Sequence, residues 1–448
     1  MNSESPLHTR REFLRGTLLG GALSWTVPSF LAETFAALHA EAANSATQVV
    51  TGKDSPILVI VQMAGGNDGL NTVIPFSNDD YRRARPRLGV AANSVLKLND
   101  QLGLHEGMEG FKSLYDAGQL AIVQGVGYPN PNRSHFRSTE IWQTASDSER
   151  FEKYGWLGRY FDHACQGSDP TVGVNIGRQM PQAFSGPKPV GVSLENPENY
   201  RFVSDEHPQP GETGLSEQFY RQLNHADGIE MEGHSENNSG GSISAISGSA
   251  KRPGSVLDFL ERTALDAQVS SDQIRAISRK VKNEAIYPGS PFGNGLRLIA
   301  RLIGGGLPTR VYYVSQGGYD THTNQLGAQD RLLRDLGDSV KAFTDDLKAQ
   351  GNFQRVVLMT FSEFGRRVAE NASGGTDHGA AAPLFVVGPK VKAGLIGELP
   401  SLAPEQLVNG DLKYHTDFRC LYAGLLEGWL QTPSAPILGR AFAPLNCV

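Results

Sequence analysis

The stretch Pro56-Ile-Leu-Val-Ile-Val-Gln-Met-Ala-Gly-Gly-Asn-Asp-Gly69 decides how the rest of the chain is read. Residues 56–63 form a continuous apolar run that stops abruptly at two glycines, an amide and a carboxylate. A run without polar alternation predicts a strand buried on both faces, as in a parallel sheet. The same pattern returns at 119–126, 310–314, 355–361 and 383–387. Between these runs the apolar spacing changes to that of helices. Leu332, Leu333, Leu336, Val340, Phe343 and Leu347 share one helical face. Phe418, Leu421, Leu425 and Trp429 share another, with Thr416 or Asp417 as the N-cap. Strands alternating with helices predict a three-layer α/β/α sandwich with a mainly parallel central sheet.

Residues 179–300 break this rhythm and read as an insertion into the sandwich. It contains a Gly/Ser/Asn-rich tract at 233–255, read as a flexible loop, and helical patterns at 256–269 and 272–285. The remainder, 43–448, reads as one domain.

The amino terminus reads as an address. Thr9-Arg-Arg-Glu-Phe-Leu-Arg15 precedes an apolar stretch from Gly16 to about Leu38, and Ala40-Glu41-Ala42 offers a small-residue cleavage site. That order predicts a twin-arginine signal over 1–42, with the twin-arginine translocase as export partner and a periplasmic or extracellular destination. Ser24, Pro28 and Glu33 interrupt the stretch, which argues against a membrane anchor.

With 41 Lys+Arg against 47 Asp+Glu, the net charge of −6 excludes a strongly basic, phosphate-tracking surface, so no nucleic-acid partner is expected. Of the three cysteines, none lies in a Cys-x-x-Cys pair. Zinc-ribbon and thioredoxin chemistry are therefore excluded, while one disulfide with one free thiol stays open.

Polar residues follow the inferred strands. In an open α/β sheet, ligands bind outside the carboxyl ends of strands. After the first, Gly65-Gly66-Asn67-Asp68-Gly69 lets the backbone turn sharply and brings Asp68 close to a ligand; a plain glycine turn with an Asx cap reads equally from the same letters. After the second, Arg133-Ser134-His135-Phe136-Arg137 places a hydroxyl at a helix start, where free N–H groups favour an anion. Ser134 is thus either a nucleophile or an ordinary N-cap. Arg133, His135 and Arg137 favour an anion site. After the third, Asp320 and His322 alternate, a pairing suited to zinc or manganese. After the fourth comes Glu363, followed by Arg366 and Arg367; Asp377 and His378 precede the fifth. Crowded carboxylates repel unless a cation lies among them, so a divalent metal (Zn, Mn, Ca or Mg) is expected.

The segments Gly65–Gly69, Arg133–Phe136, Tyr319–His322, Phe361–Arg366 and Thr376–Gly379 together resemble the bacterial family of unknown function numbered 1501, which looks like a branch of the alkaline phosphatase and sulfatase superfamily. The resemblance implies an alkaline-phosphatase-like fold with one or two divalent metals. It implies Ser134 as nucleophile, Asp68 and Glu363 at the nucleophile's metal, and Asp320, His322 and His378 at the other. Phe364 stands where that superfamily has a histidine. An alternative registration pairs Asp377 with His378 and calls on His415. The expected function is an exported, metal-dependent hydrolase of phosphate or sulfate esters, with Arg133 or Arg366 holding the non-bridging oxygens of an anionic ester. The alternative is a non-catalytic binding or assembly protein on the same fold.

Overall fold

The computed structural model describes residues 55–188, 190–199 and 270–448. The expected leader, the Gly/Ser tract and the helical pattern 256–269 lie outside them.

All five apolar runs are strands. In chain order the strands are β1 (Ile57–Ala64), β2 (Val73–Ile74), β3 (Val95–Lys97), β4 (Gly103–His105), β5 (Leu120–Gly127), β6 (Gly173–Ile176), β7 (Val192–Leu194), β8 (Val311–Gly317), β9 (Val356–Phe361), β10 (Ala382–Val387), β11 (Gly394–Ile396) and β12 (Thr416–Asp417). Three of them, β2-β4-β3, form a small separate sheet. The main sheet runs β11-β5-β10-β9-β1-β8-β6-β7, with β12 also on β5. It is mostly parallel, as expected. The exception is β10, antiparallel to both β5 and β9. A continuous apolar run reports burial on both faces, not direction, so this reversal was hidden in the sequence.

Period-two alternation sends successive side chains of each strand to opposite faces. Leu58 and Ile60 of β1 join one apolar cluster, while Ile57, Val59, Val61 and Met63 join another. The first is closed by helices His135–Thr144, Trp156–Ala164 and Phe418–Gly424. The second is closed by helices Glu109–Asp116, Pro291–Gly304 and Gln325–Ala349. The result is the helix–sheet–helix sandwich. Within the stretch 179–300 expected as an insertion, β7 joins the main sheet and helix Pro291–Gly304 packs on it. No helix among the described residues is long and apolar enough to cross a membrane.

The topology positions the chemistry. Strands β9, β1 and β8 are parallel neighbours, so Ala64, Gly317 and Phe361 finish at one edge. Since β10 opposes β5 and β9, β5 also finishes there, and β10 starts there. The loop before β10 therefore lies beside the loops that follow β1, β5, β8 and β9. Gly65 makes this crowding possible: its φ is +121°, and a Cβ would stand 2.4 Å from the Asp320 amide nitrogen.

Asp68, expected as a metal ligand, commits one carboxylate oxygen, Oδ2, to a buried arginine, while its Oδ1 is buried without a hydrogen-bond partner. Its carboxylate is buried and paired with the equally buried Arg85, Oδ2 to Nη1 at 2.5 Å. Arg85 also donates to the carbonyls of Val368 and Arg367, each at 2.9 Å. Gln325 donates to the same carboxylate oxygen, and Gln329 to the Asp68 carbonyl at 2.9 Å. The pair is a strut between the loop after β1 and the chain near 367. Removing one partner of a buried ion pair leaves the other uncompensated, at a cost of about 3–5 kcal/mol. Asp68→Ala should therefore lose about that much in chemical denaturation; a change within about 0.5 kcal/mol, as at a free surface site, would refute the strut.

Candidate metal centre and active site

Three imidazoles and one carboxylate converge at the shared edge. His135 is the first residue of helix His135–Thr144 after β5. Asp320 and His322 follow β8, and His378 precedes β10. Asp320 Oδ1 lies 3.0 Å from His322 Nε2 and 3.1 Å from His378 Nε2. The two Nε2 atoms are 2.9 Å apart. Asp320 Oδ2 lies 3.5 Å from His135 Nε2. One ligand atom from each of His135, Asp320 and His378 falls within a 4.8 Å span, as a shared cation needs.

Each ring is oriented from behind. His378 Nδ1 donates to the Arg133 carbonyl at 2.8 Å. A carbonyl only accepts, so that nitrogen carries the proton and Nε2 presents a lone pair when the ring is neutral. His135 Nδ1 is 2.9 Å from Glu363 Oε1 and His322 Nδ1 is 3.3 Å from Asp377 Oδ1. Carboxylate oxygens at Nδ1 favour the same tautomer when a cation takes Nε2; without one, a protonated Nε2 donates to Asp320 instead. Three Nε2 atoms thus face Asp320. Two of them, 2.9 Å apart, repel unless a proton or a cation lies between them. His135 Nε2 is buried without a hydrogen-bond partner. Ligand atoms about 2.0–2.1 Å from one ion stand about 3 Å from each other, close to the separations here. The donor set fits a metal ion. Imidazole-rich sites suit zinc or similar transition metals better than calcium or magnesium, which take oxygen shells.

Asp320 is half exposed. Burial acts to raise its pKa, but hydrogen bonds from Arg366 and His378 with the Arg366 and His322 charges outweigh it and hold it at about 2, below the ordinary 3.8. Asp377 is lowered as well, first through the hydrogen bond from Asn371 and then through His322, against partial burial.

Phe364 packs against the rings of His135 and His378, centroids 4.9 and 4.4 Å apart. Gly66 makes room for it, since a Cβ there would stand 2.3 Å from Phe364 Cε2. Phe364 is an apolar wall beside the imidazoles and offers no donor atom.

Several expected roles are redistributed. Asp320, His322 and His378 lie together. His135, expected as part of an anion site, joins them. Glu363 faces His135 and the Gly65 amide, 2.8 Å away, and so supports a ring. Asp377 likewise stands behind His322. Asp68 is held by Arg85. Arg366 is fully buried: its donors reach the carbonyls of Gly65, Gly66, Tyr319 and Thr376 and the Asp320 carboxylate. Its burial and these bonds commit it to loop carbonyls cut off from water. Arg133 is part-exposed and paired with Asp411, an acid that no sequence signal marks. His415 is exposed, and its amide bonds the Gly125 carbonyl at 2.8 Å. Ser134 is the exposed N-cap residue before His135, and its hydroxyl makes no cap bond. Its amide instead donates to Asn132 Oδ1 at 2.8 Å. Cys165, Cys420 and Cys447 are all unpaired.

No curated protein matches the sequence. Among solved structures, a protein in the alkaline phosphatase superfamily from Vibrio parahaemolyticus is 10% identical, covering 91% of this chain and 77% of that one with a TM-score of 0.33. The phosphonate monoester hydrolase of Agrobacterium radiobacter is 9% identical, covering 86% and 78%, TM-score 0.33. The PsFucS1 sulfatase from Pseudoalteromonas sp. is 11% identical, covering 87% and 75%, TM-score 0.32. Overlaps this loose assign no role to any residue here. The profile of a family described as "Protein of unknown function (DUF1501)" matches residues 56–415, and the chain belongs to that family.

Proposed function

We propose that the chain is an exported, metal-dependent hydrolase of phosphate or sulfate esters, with Ser134 as nucleophile and one divalent metal. The observation that carries this reading is the set of three Nε2 atoms gathered on Asp320, with an exposed, uncapping serine immediately before His135 in the chain. His135, Asp320, His322 and His378 would hold the ion, zinc or manganese best matching their chemistry. When bound, it supplies Lewis-acid stabilisation of negative charge on the reacting group. The proposal names one metal because, among the described residues, the one group of three possible ligands is His135, Asp320 and His378.

The chain's own residues supply the rest. Ser134 sits where the first free N–H groups of a ten-residue helix face outward and attract an anion. Its Oγ would form the bond to phosphorus or sulfur as the ester oxygen departs, and its proton would end on the released alcohol. Water would then cleave the seryl ester, regenerating Ser134 and releasing phosphate or sulfate. Phe364 limits water on one side of the imidazoles. The leader 1–42 supports export through the twin-arginine translocase.

The non-catalytic reading has one observation in its favour. Arg366 is engaged in holding loops and Arg133 pairs with Asp411, so neither guanidinium expected at the ester stands free for it. Aryl phosphate and aryl sulfate assays, with metal analysis of the same samples, separate the two readings. Ser134→Ala should lose about 10³-fold or more in turnover and keep its metal, while His378→Ala should lose both. Equal rates in wild type and Ser134→Ala would remove the serine from the mechanism.

Acid should act through the rings before the carboxylate. A folded-state value below the ordinary one means that Asp320 favours the fold above about pH 4, and that this contribution fades as pH falls towards 2. Protons compete with metal for imidazole nitrogen. Metal content measured against falling pH should therefore drop while Asp320 is still ionised. Retention down to about pH 3 would show that the imidazoles are not ligands.

A further inference from the structure

A second site lies on the other flank of β8. Helix Pro291–Gly304, helix 270–280 and the ends of β6 and β8 enclose a cavity of about 1150 Å³. In a chain of net charge −6 its walls are basic, carrying Arg178, Arg279, Lys282, Arg297 and Arg301 against Glu195 and Glu198. Both carboxylates are engaged: Arg178 meets Glu195 at 2.8 Å and Arg279 meets Glu198 at 2.5 Å. Arg301 donates Nε to the neutral Asn283 Oδ1 at 2.7 Å. Among the described residues, Lys282 and Arg297 have no ion-pair partner.

The arrangement is unfavourable in isolation. Arg297 and Arg301 stand one helical turn apart, a like-charged spacing that a helix disfavours. Burial, then the Arg297 charge, holds the Arg301 guanidinium below its ordinary value. The floor offers neutral polar groups from Asn175, Ser315 and Gln62. Gln62 and Ser315 are paired across β1 and β8, a few residues before those strands reach the loops of the candidate metal centre.

We propose that this cavity binds an anion carrying two or more phosphate or sulfate groups, held by Arg297, Arg301 and Lys282. Guanidinium forks match such oxygens in pairs, and Lys282 adds a point charge. The volume lies just above the roughly 300–1,000 Å³ of small-molecule sites, which suits an oligomeric anion rather than a single ion. The proposal does not depend on the hydrolase reading.

Calorimetric titration of the full chain with tripolyphosphate, and separately with a trisulfated disaccharide, tests it and tells a polyphosphate source from a sulfated glycan. At least one probe should bind with a Kd of about micromolar order and weaken with added salt. Lys282→Ala/Arg297→Ala should weaken it about tenfold or more (one such factor is about 1.4 kcal/mol), with its thermal melt reporting that it folds. Arg297→Glu should do the same if the double variant is unstable. His378→Ala should bind the probe as wild type does, whatever its metal content. Absence of binding by wild type, equal binding by the double variant, or loss of binding in His378→Ala alone would each overturn the proposal.

Discussion

One buried guanidinium organises the edge on which the site is built. Arg366 donates at 2.6 Å to Gly66, 2.9 Å to Thr376 and 3.0 Å to Tyr319 carbonyls, and at 2.8 Å to Asp320. A charge removed from water must have its donors answered. Here the answers come from the loops after β1 and β8 and before β10, so all three must close on it together. The backbone reinforces the closure: Arg366 and His378 form an isolated antiparallel bridge, and Gly379 donates to the Gly365 carbonyl at 2.8 Å. The backbone of His378 is thereby tied to the residue whose side chain holds Asp320.

The imidazoles then face one another because each is pinned through Nδ1 to an oxygen that can only accept. Arg133, Glu363 and Asp377 have this shared function despite unlike chemistry, one through its backbone and two through carboxylates. Orientation from behind gives the constellation its direction and gathers three Nε2 atoms around Asp320. The polar edge is bounded by Phe364 on one side and by the exposed start of helix His135–Thr144 on the other.

Charged residues at strand ends divide into two groups that look alike as letters. Asp68 and Arg366 are buried and hold loops together. Asp320 and the three histidines are partly open and aimed inward. Asp68, Arg366 and His378 each adjoin a glycine. The division follows from what each loop needs: carbonyls without a strand partner draw the arginines in, and the carboxylate left beside them meets a guanidinium alone or imidazoles as well, according to its depth.

The apolar runs determined the strands, the layers and the edge where polar residues gather, because burial on two faces writes itself into composition. The amphipathic helices were legible for the same reason. Residue types and their position after strands also marked Asp320, His322 and His378, and placed His135 and Glu363 nearby. The reversed direction of β10 was not legible, since a doubly buried strand reads the same either way. Nor was the choice of Arg85 as the partner of Asp68, or of Asp411 as the partner of Arg133, which joins positions 17 and 278 apart. Only the tertiary structure decided which carboxylate meets a guanidinium and which meets imidazoles. That choice depends on depth and direction at a crowded sheet edge, quantities that exist only once the loops have closed on Arg366.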